Sequence, residues 1–230
     1  RCIYNRGVDM HQTPYVHRMF RDVFTGIDTR QKKAIPINEL HTLLNEDPQS
    51  DKLRRTQAIA NLLFLFCGMP FVDLAYLEKS NLEGNMLKYN RAKTGIPMNV
   101  EILDSAATII SQLRNKHTTV LPEHPDYLFY ILSGKNKRSD EAGYKEYQSA
   151  LRCFNNDLKS LARKLCIRSS VTSYTFRHSW ATTAKYRGVP IEMISESLGH
   201  KSIKTTQIYL ASLESSVIDQ ANQSILSALV

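Results

Sequence analysis

The stretch from Ser173 to Ser212, SYTFRHSWATTAKYRGVPIEMISESLGHKSIKTTQIYLAS, constrains this chain more than any other. Gly188 and Gly199 divide it into three short helical segments. Each glycine follows a polar or cationic turn, the place of a residue that ends a helix with left-handed backbone. Pro190 stands where a first helical residue can be proline, and Ser202 is a candidate N-cap for the last segment, which carries Tyr209. Three helices joined by tight turns are the predicted result. They gather Arg177, His178, His200, Lys201, Lys204 and Tyr209, and bring the Gly199-His200 turn and Tyr209 toward a common ligand. An arginine, a turn histidine and a nearby tyrosine make an anion site beside a nucleophile.

Ahead of this stretch the pattern is again mostly helical. Pro36 to Asn45 reads as a short helix ending in the polar turn Glu46-Asp47-Pro48-Gln49-Ser50. Ser50 or Asp51 then caps a helix to about Cys67, with Leu53, Ala60, Leu63 and Phe64 toward the core. Gly68-Met69-Pro70 ends it, and Phe71 to Leu77 restarts a helical turn. Asn85 to Asn90 and Pro97 to Ile102 are strand-like runs around Lys93-Thr94-Gly95, a hairpin or small sheet. Asp104 to Lys116 has helical period with Asp104-Ser105 at its cap, and a polar loop with two prolines leads to the apolar run Tyr127 to Leu132. Ser133 to Glu141 reads as a charged, solvated loop. Glu141 to Cys166 is a long amphipathic helix carrying Tyr147, Leu151, Phe154, Leu158, Leu161 and Leu165, and Leu213 to Val230 is another. No repeat and no low-complexity segment is present.

Composition narrows the partner. With 30 Lys and Arg against 22 Asp and Glu, the net charge is +8 and the pI about 9.3, which suits a polyanion. Cys2, Cys67, Cys153 and Cys166 show neither C-x-x-C pairing nor histidine at zinc spacing, as expected of thiols in a reducing compartment. No apolar signal segment opens the chain, and Ala58 to Leu77 is broken by Asn61, Gly68, Pro70 and Asp73, so no membrane span is expected. The expected location is the cytoplasm. The first residue, Arg1, stands inside what reads as a helix, so the sequence is expected to be a fragment of a longer chain.

The residues Arg177-His178-Ser179-Trp180-Ala181-Thr182, followed by Leu198-Gly199-His200, Ser202, Thr205-Thr206 and Tyr209, resemble the catalytic signature of the tyrosine recombinase (phage integrase) family. Its pattern reads R-H-x-[FW]-A-T and then L-G-H-x-S-x-x-T-T-x-x-Y. The resemblance is strongest over roughly the last 60 residues, reaches back more weakly to about Ala34, and is closest to integrases of Bacteroides-type mobile elements. It implies a mainly α fold with a small antiparallel β-sheet, the catalytic fold of these DNA breaking-rejoining enzymes. It also implies that residues 1–33 are the end of an upstream core-binding domain with its linker, and 34–230 the catalytic domain.

The resemblance further implies a chemistry. Tyr209 is the nucleophile; a phenol with a pKa near 10 attacks phosphorus at neutral pH only among cations and with a proton acceptor at hand. Arg177 grips the non-bridging phosphate oxygens with its planar fork, and His200 donates a hydrogen bond to one of them. Lys93, at the hairpin turn, protonates the departing 5′ oxygen, with Lys88 and Arg91 as competitors. Tyr174 stands where the family carries a histidine, and Pro70 where it carries a first arginine; neither Pro70 nor Cys67 supplies that charge. Arg54, Arg55 and Arg91 are the candidate replacements. Arg91, Lys201, Lys204 and His178 are the candidate DNA-binding residues, although His178 also suits helix packing. Asp73 matches an acidic position and is expected to cap its own turn. No cofactor and no metal is implied, since the two imidazoles lack a third ligand at suitable spacing.

The implied partner is double-stranded DNA, bound by a homotetramer assembled through helix 213–230, in a bacterial cytoplasm at the nucleoid. The implied function is site-specific DNA recombination or integration through a 3′-phosphotyrosyl intermediate. A DNA-binding protein derived from a recombinase with reduced or lost catalysis is the alternative, and a nickase or topoisomerase using the same tyrosine differs only in the fate of the intermediate.

Overall fold

Helical periodicity sets the scaffold. The structure, a computed structural model, describes residues 34–114, 126–136 and 138–211, and of residues 209 and 211 the backbone alone. The expected segment 1–33, the proline loop up to 125 and the tail helix 213–230 lie outside the described residues. The elements are α1 (Ile37–Asn45), α2 (Asp51–Leu65), α3 (Phe71–Ala75), a 3₁₀ turn (Lys79–Asn81), β1 (Leu82–Glu83), β2 (Met86–Asn90), β3 (Pro97–Glu101), α4 (Asp104–Leu113), α5 (Glu141–Lys164), α6 (Thr175–Tyr186), α7 (Ile191–Ser197) and α8 (Ile203–Ala211).

The core forms where α2 meets its neighbours. Ile59, Ala60, Leu62 and Leu63 of α2 are buried, and α5 buries Phe154, Leu158, Leu161 and Ala162, a spacing that keeps one stripe inward. Phe71 of α3 stacks on Phe154 with ring centroids 4.7 Å apart, which ties the short helix to the long one. Stacking of this kind adds about 0.5–1.5 kcal/mol to the burial itself. A second, smaller cluster belongs to the glycine-punctuated stretch: Ala181, Ala184, Ile194, Leu198 and Leu210, with Trp180, Val189 and Ile191 against them.

The sheet is antiparallel in the order β1-β2-β3, with Leu87 opposite Val100 and Tyr89 opposite Met98. On β3 the alternation buries Met98 and Val100 and exposes Pro97, Asn99 and Glu101. Between β2 and β3 the turn is closed by Gly95 N–H to the Arg91 carbonyl at 2.8 Å and Arg91 N–H to the Ile96 carbonyl at 2.9 Å, with Gly95 at φ +71°.

Several local expectations change. Leu103, not Asp104-Ser105, is the N-cap of α4, and Asp104 is its first residue, where a carboxylate favours the helix dipole. Pro190 caps α7 from outside the helix. The two-residue strand β1 left no alternation to read. The loop after Ser133 is fastened down: Glu146 of α5 accepts from the Ser133 N–H and from Asn136 Nδ2, and the Arg138 guanidinium lies 4.6 Å from the Tyr76 ring centroid. Its charges are therefore partly spent on packing.

Candidate active site

Two glycine turns shape the site. Gly199 ends α7 with φ +62°, its N–H on the Glu196 carbonyl at 2.8 Å and the His200 N–H on the Ser195 carbonyl at 3.0 Å. That paired closure is the Schellman arrangement, and Gly188 closes α6 the same way through Gly188 to Lys185 and Val189 to Ala184. Closing α7 so tightly leaves the Leu198 and Gly199 carbonyls without helical partners, and a helix C-terminus attracts cations. Arg177 Nη2 donates to the Leu198 oxygen at 2.6 Å, Arg91 Nε donates to the same oxygen at 3.2 Å, and Thr94 Oγ1 donates to the Gly199 carbonyl at 3.2 Å.

Arg177, in the first turn of α6, is only 2% exposed. Its Nη1 donates to the Gly68 carbonyl at 3.0 Å. At Gly68 the backbone is left-handed (φ +69°), and a Cβ there would stand 2.9 Å from Arg177 Cα, so glycine is what lets the end of α2 wrap this arginine. Cys67 beside it is also left-handed at φ +54°, and burial pushes its thiol pKa up, so it contributes no charge.

Arg91 is the cation the hairpin brings in. Its Nη1 lies 2.6 Å from Asp73 Oδ2, with side chains 7% and 0% exposed, and the other Asp73 oxygen accepts the Ala92 N–H at 2.9 Å. Asp73 therefore braces the hairpin, not its own turn as the sequence suggested. Of the other replacement candidates, Arg54 is held by Asp47 and Asp51, and Arg55 donates to the Tyr130 carbonyl. Pro70 caps α3 with φ −70° and so helps aim Asp73.

His200 sits against Arg177, with Nε2 3.1 Å from Nη2 and Nδ1 2.8 Å from Thr206 Oγ1. Burial, then the charges of Arg177, Arg91 and Lys93, push its pKa down to about 4, so the ring is neutral at physiological pH. Arginine can only donate, so Nε2 accepts and the single ring hydrogen is on Nδ1, directed at Thr206.

The other expected residues divide into exposed and buried. Lys93 is exposed at the hairpin turn, two residues after the buried Arg91. Lys201 and Lys204 are exposed at the start of α8, where Ser202 Oγ accepts the Lys204 N–H at 3.2 Å as the predicted N-cap. Tyr174 is 41% exposed at the N-terminus of α6, and His178 is 7% exposed with its ring edge-on to Tyr174 at 4.8 Å, a packing position. Tyr209 lies in α8, and its side chain is outside the described residues. Sequence reasoning missed Thr206, fully buried, and the Leu198 carbonyl. Thr206 stood in the signature that resembles the family's and four residues before Leu210 on one face of a helix, but neither signal gave it a partner.

Several known proteins are similar to this chain. The tyrosine recombinase XerA of Pyrococcus furiosus is 31% identical over 179 residues, covering 77% of this chain and 56% of that protein. XerD of Halalkalibacterium halodurans is 28% identical over 186 residues, covering 78% of this chain and 57% of that one. The chain thus spans little more than half the length of these relatives. The crystal structure of XerA recombinase matches with a TM-score of 0.58 at 23% identity over 85% of this chain and 66% of that chain. XerH in a post-cleavage complex with its palindromic difH substrate matches at 0.56 and 18% identity over 83% of this chain and 52% of that chain. These structures share the mainly helical fold with its small antiparallel sheet. The relatives are Xer recombinases, and a special closeness to Bacteroides-type integrases is not among the findings. Residues 33–216 match the model of the phage integrase family, and the chain belongs to that family.

Proposed function

We propose that residues 34–230 are the catalytic domain of a site-specific DNA recombinase that cuts and rejoins DNA through a 3′-phosphotyrosyl intermediate. Residues 1–33 are then the end of an upstream core-binding domain. The observation that carries this reading is the convergence of two buried guanidiniums, Arg177 and Arg91, on one carbonyl beside a neutral His200. A phosphodiester placed there meets two cationic forks, and donors preorganised toward developing charge are often the largest catalytic contribution. Arg91, braced by Asp73, takes the part of the arginine that Pro70 replaces.

In the reaction the Tyr209 Oη–H gives its proton to solvent water, a new Oη–P bond forms, the P–O5′ bond breaks, and Lys93 gives a proton to the released O5′ and is reprotonated from solvent. Reversal with a second strand's 5′ hydroxyl rejoins the DNA. The ester keeps the bond energy, so the reaction consumes no nucleotide. Lys201 and Lys204 bind flanking phosphates, so duplex affinity falls as salt rises. The working assembly is a homotetramer on two duplexes, joined through helix 213–230, acting in the cytoplasm at the nucleoid. A mobile element of the Bacteroides type is the proposed setting.

The test is a nicked suicide duplex built from the junctions that flank the element, incubated with the protein and run on a denaturing gel. A covalent band that maps to Tyr209 and vanishes in Tyr209→Phe is expected, with duplex binding retained by that variant. Salt-sensitive binding without any band, in the full-length protein as well, would favour the binding-only alternative. A band that persists in Tyr209→Phe removes the tyrosine from its role.

A further inference from the structure

Lys93 stands in a turn whose neighbouring residues are tied down. Arg91 is held by Asp73 and by the Leu198 carbonyl, the Ala92 N–H by the other Asp73 oxygen, and the Gly95 N–H by the Arg91 carbonyl. Thr94, the next residue after Lys93, donates its hydroxyl to the Gly199 carbonyl at 3.2 Å. A carbonyl only accepts, so the direction of that bond is fixed. Two consecutive carbonyls at the end of α7 are thus taken by two residues of one turn, one on each side of Lys93. Glycine at 199 is what lets the hairpin come so close, since a Cβ there would meet Met98 Sδ at 2.9 Å and Arg91 Cδ at 3.1 Å. Lys93 itself is exposed, whereas its competitor Lys88 is engaged by Glu83 on β1.

We infer that Thr94 is a positioning residue for the proton donor Lys93: its hydroxyl fastens the hairpin turn to the end of α7 and so sets the point from which the lysine amine reaches the leaving oxygen. The inference deepens the proposed recombinase reading and rests on it, because it needs Lys93 as the general acid. Arg91 and Thr94 have different tasks in the turn. Arg91 brings charge to the site, while Thr94 is neutral and its O–H is already directed at Gly199, so it acts through its neighbour. A flexible four-carbon stem aims its amine only from where the Cα is held, and a displacement of about 1 Å in a reacting group can cost about 100-fold in rate. Removing one neutral hydrogen bond loosens the turn and leaves the Asp73–Arg91 pair in place, so the step that uses the Lys93 proton is the one slowed.

The test compares two nicked duplexes that carry either oxygen or sulfur at the 5′ leaving position of the cleaved phosphodiester, in single-turnover adduct formation. A thiolate leaves without a proton, and the ratio of the two rates on one preparation does not depend on how much of a variant is folded. Thr94→Val keeps the shape of the side chain and removes the O–H. It should form the Tyr209 adduct about tenfold more slowly on the oxygen duplex and within about twofold of the unaltered protein on the sulfur duplex. Thr94→Ser should restore the oxygen rate. Added to Lys93→Ala, Thr94→Val should change neither rate, because the group it positions is gone. Equal slowing of Thr94→Val on both duplexes would overturn the inference, and so would no slowing on either. An unaltered protein without a Tyr209 adduct on either duplex overturns the recombinase reading and the inference with it, a result seen before any Thr94 variant is made.

Discussion

Replacing Arg91 with methionine keeps much of the side-chain stem and removes the guanidinium. The Asp73 carboxylate, 0% exposed, is then left with the Ala92 N–H and no cation. Breaking a buried pair by deleting one partner costs about 3–5 kcal/mol, whereas deleting both charges together is often close to neutral. A domain of this size holds about 5–15 kcal/mol in total, so Arg91→Met should lose a large share of its stability. Asp73→Asn alone strands Arg91 more mildly, because the Leu198 carbonyl still accepts from Nε and asparagine still accepts from Ala92. The double variant Asp73→Asn/Arg91→Met should recover most of the loss. Urea unfolding followed by the fluorescence of Trp180, the sole tryptophan and a neighbour of the smaller cluster, measures all four proteins. A coupling energy of about 2 kcal/mol or more between the two substitutions is expected. A loss under about 1 kcal/mol for Arg91→Met, or a double variant no better than the worse single, would refute the claim that Asp73 and Arg91 form one buried unit. The folded double variant then isolates catalysis. Its adduct rate should fall about 100-fold on a normal phosphodiester and much less on a neutral methylphosphonate, where there is less charge to offset.

Other perturbations bear on separate contacts. Gly199→Ala places a Cβ 2.9 Å from Met98 Sδ and 3.1 Å from Arg91 Cδ at φ +62°, and should cost about 1–2 kcal/mol from backbone strain, seen as a lowered urea midpoint. His200 has a folded pKa of about 4 against 6.5 for the free side chain, so the unfolded chain binds its proton first as pH falls. Its contribution is full above pH 6.5 and is lost progressively toward pH 4; thermal melts between pH 6.5 and 4.5 should show a decline that His200→Gln lacks. Lys93→Ala should be slow on ordinary DNA and recover on a substrate with a 5′-thiolate leaving group, which needs no proton; failure to recover would move the acid role elsewhere.

How much of this was legible in the sequence depends on whether the determinant was local. The helix breaks at Gly188 and Gly199 and the N-cap at Ser202 are written in neighbouring residues, and both glycine turns have the expected left-handed backbone. The stripe Phe154, Leu158 and Leu161 is likewise periodic, and α5 is found nearly where it was expected. Its end was less legible: Cys166 takes the left-handed place at φ +56° that glycine usually marks, so the helix stops at Lys164 without a signal. Arg91 shows the opposite limit. In sequence it is one cation of several in a basic turn, and only the docking of the hairpin against α3 and α7 makes it a buried partner of Asp73. The direction of the His200 hydrogen bonds was hidden for the same reason, because it depends on which group faces each nitrogen.

The oxygen of Leu198 acts as a common datum for the site. Both guanidiniums are referenced to that single atom, one from α6 and one from the hairpin. Arg177 is also tied to Gly68 and Arg91 to Asp73, so the shared oxygen is where two separately anchored side chains meet. For the phosphodiester of the proposed reaction, a single atom thus sets the spacing of the two cationic forks.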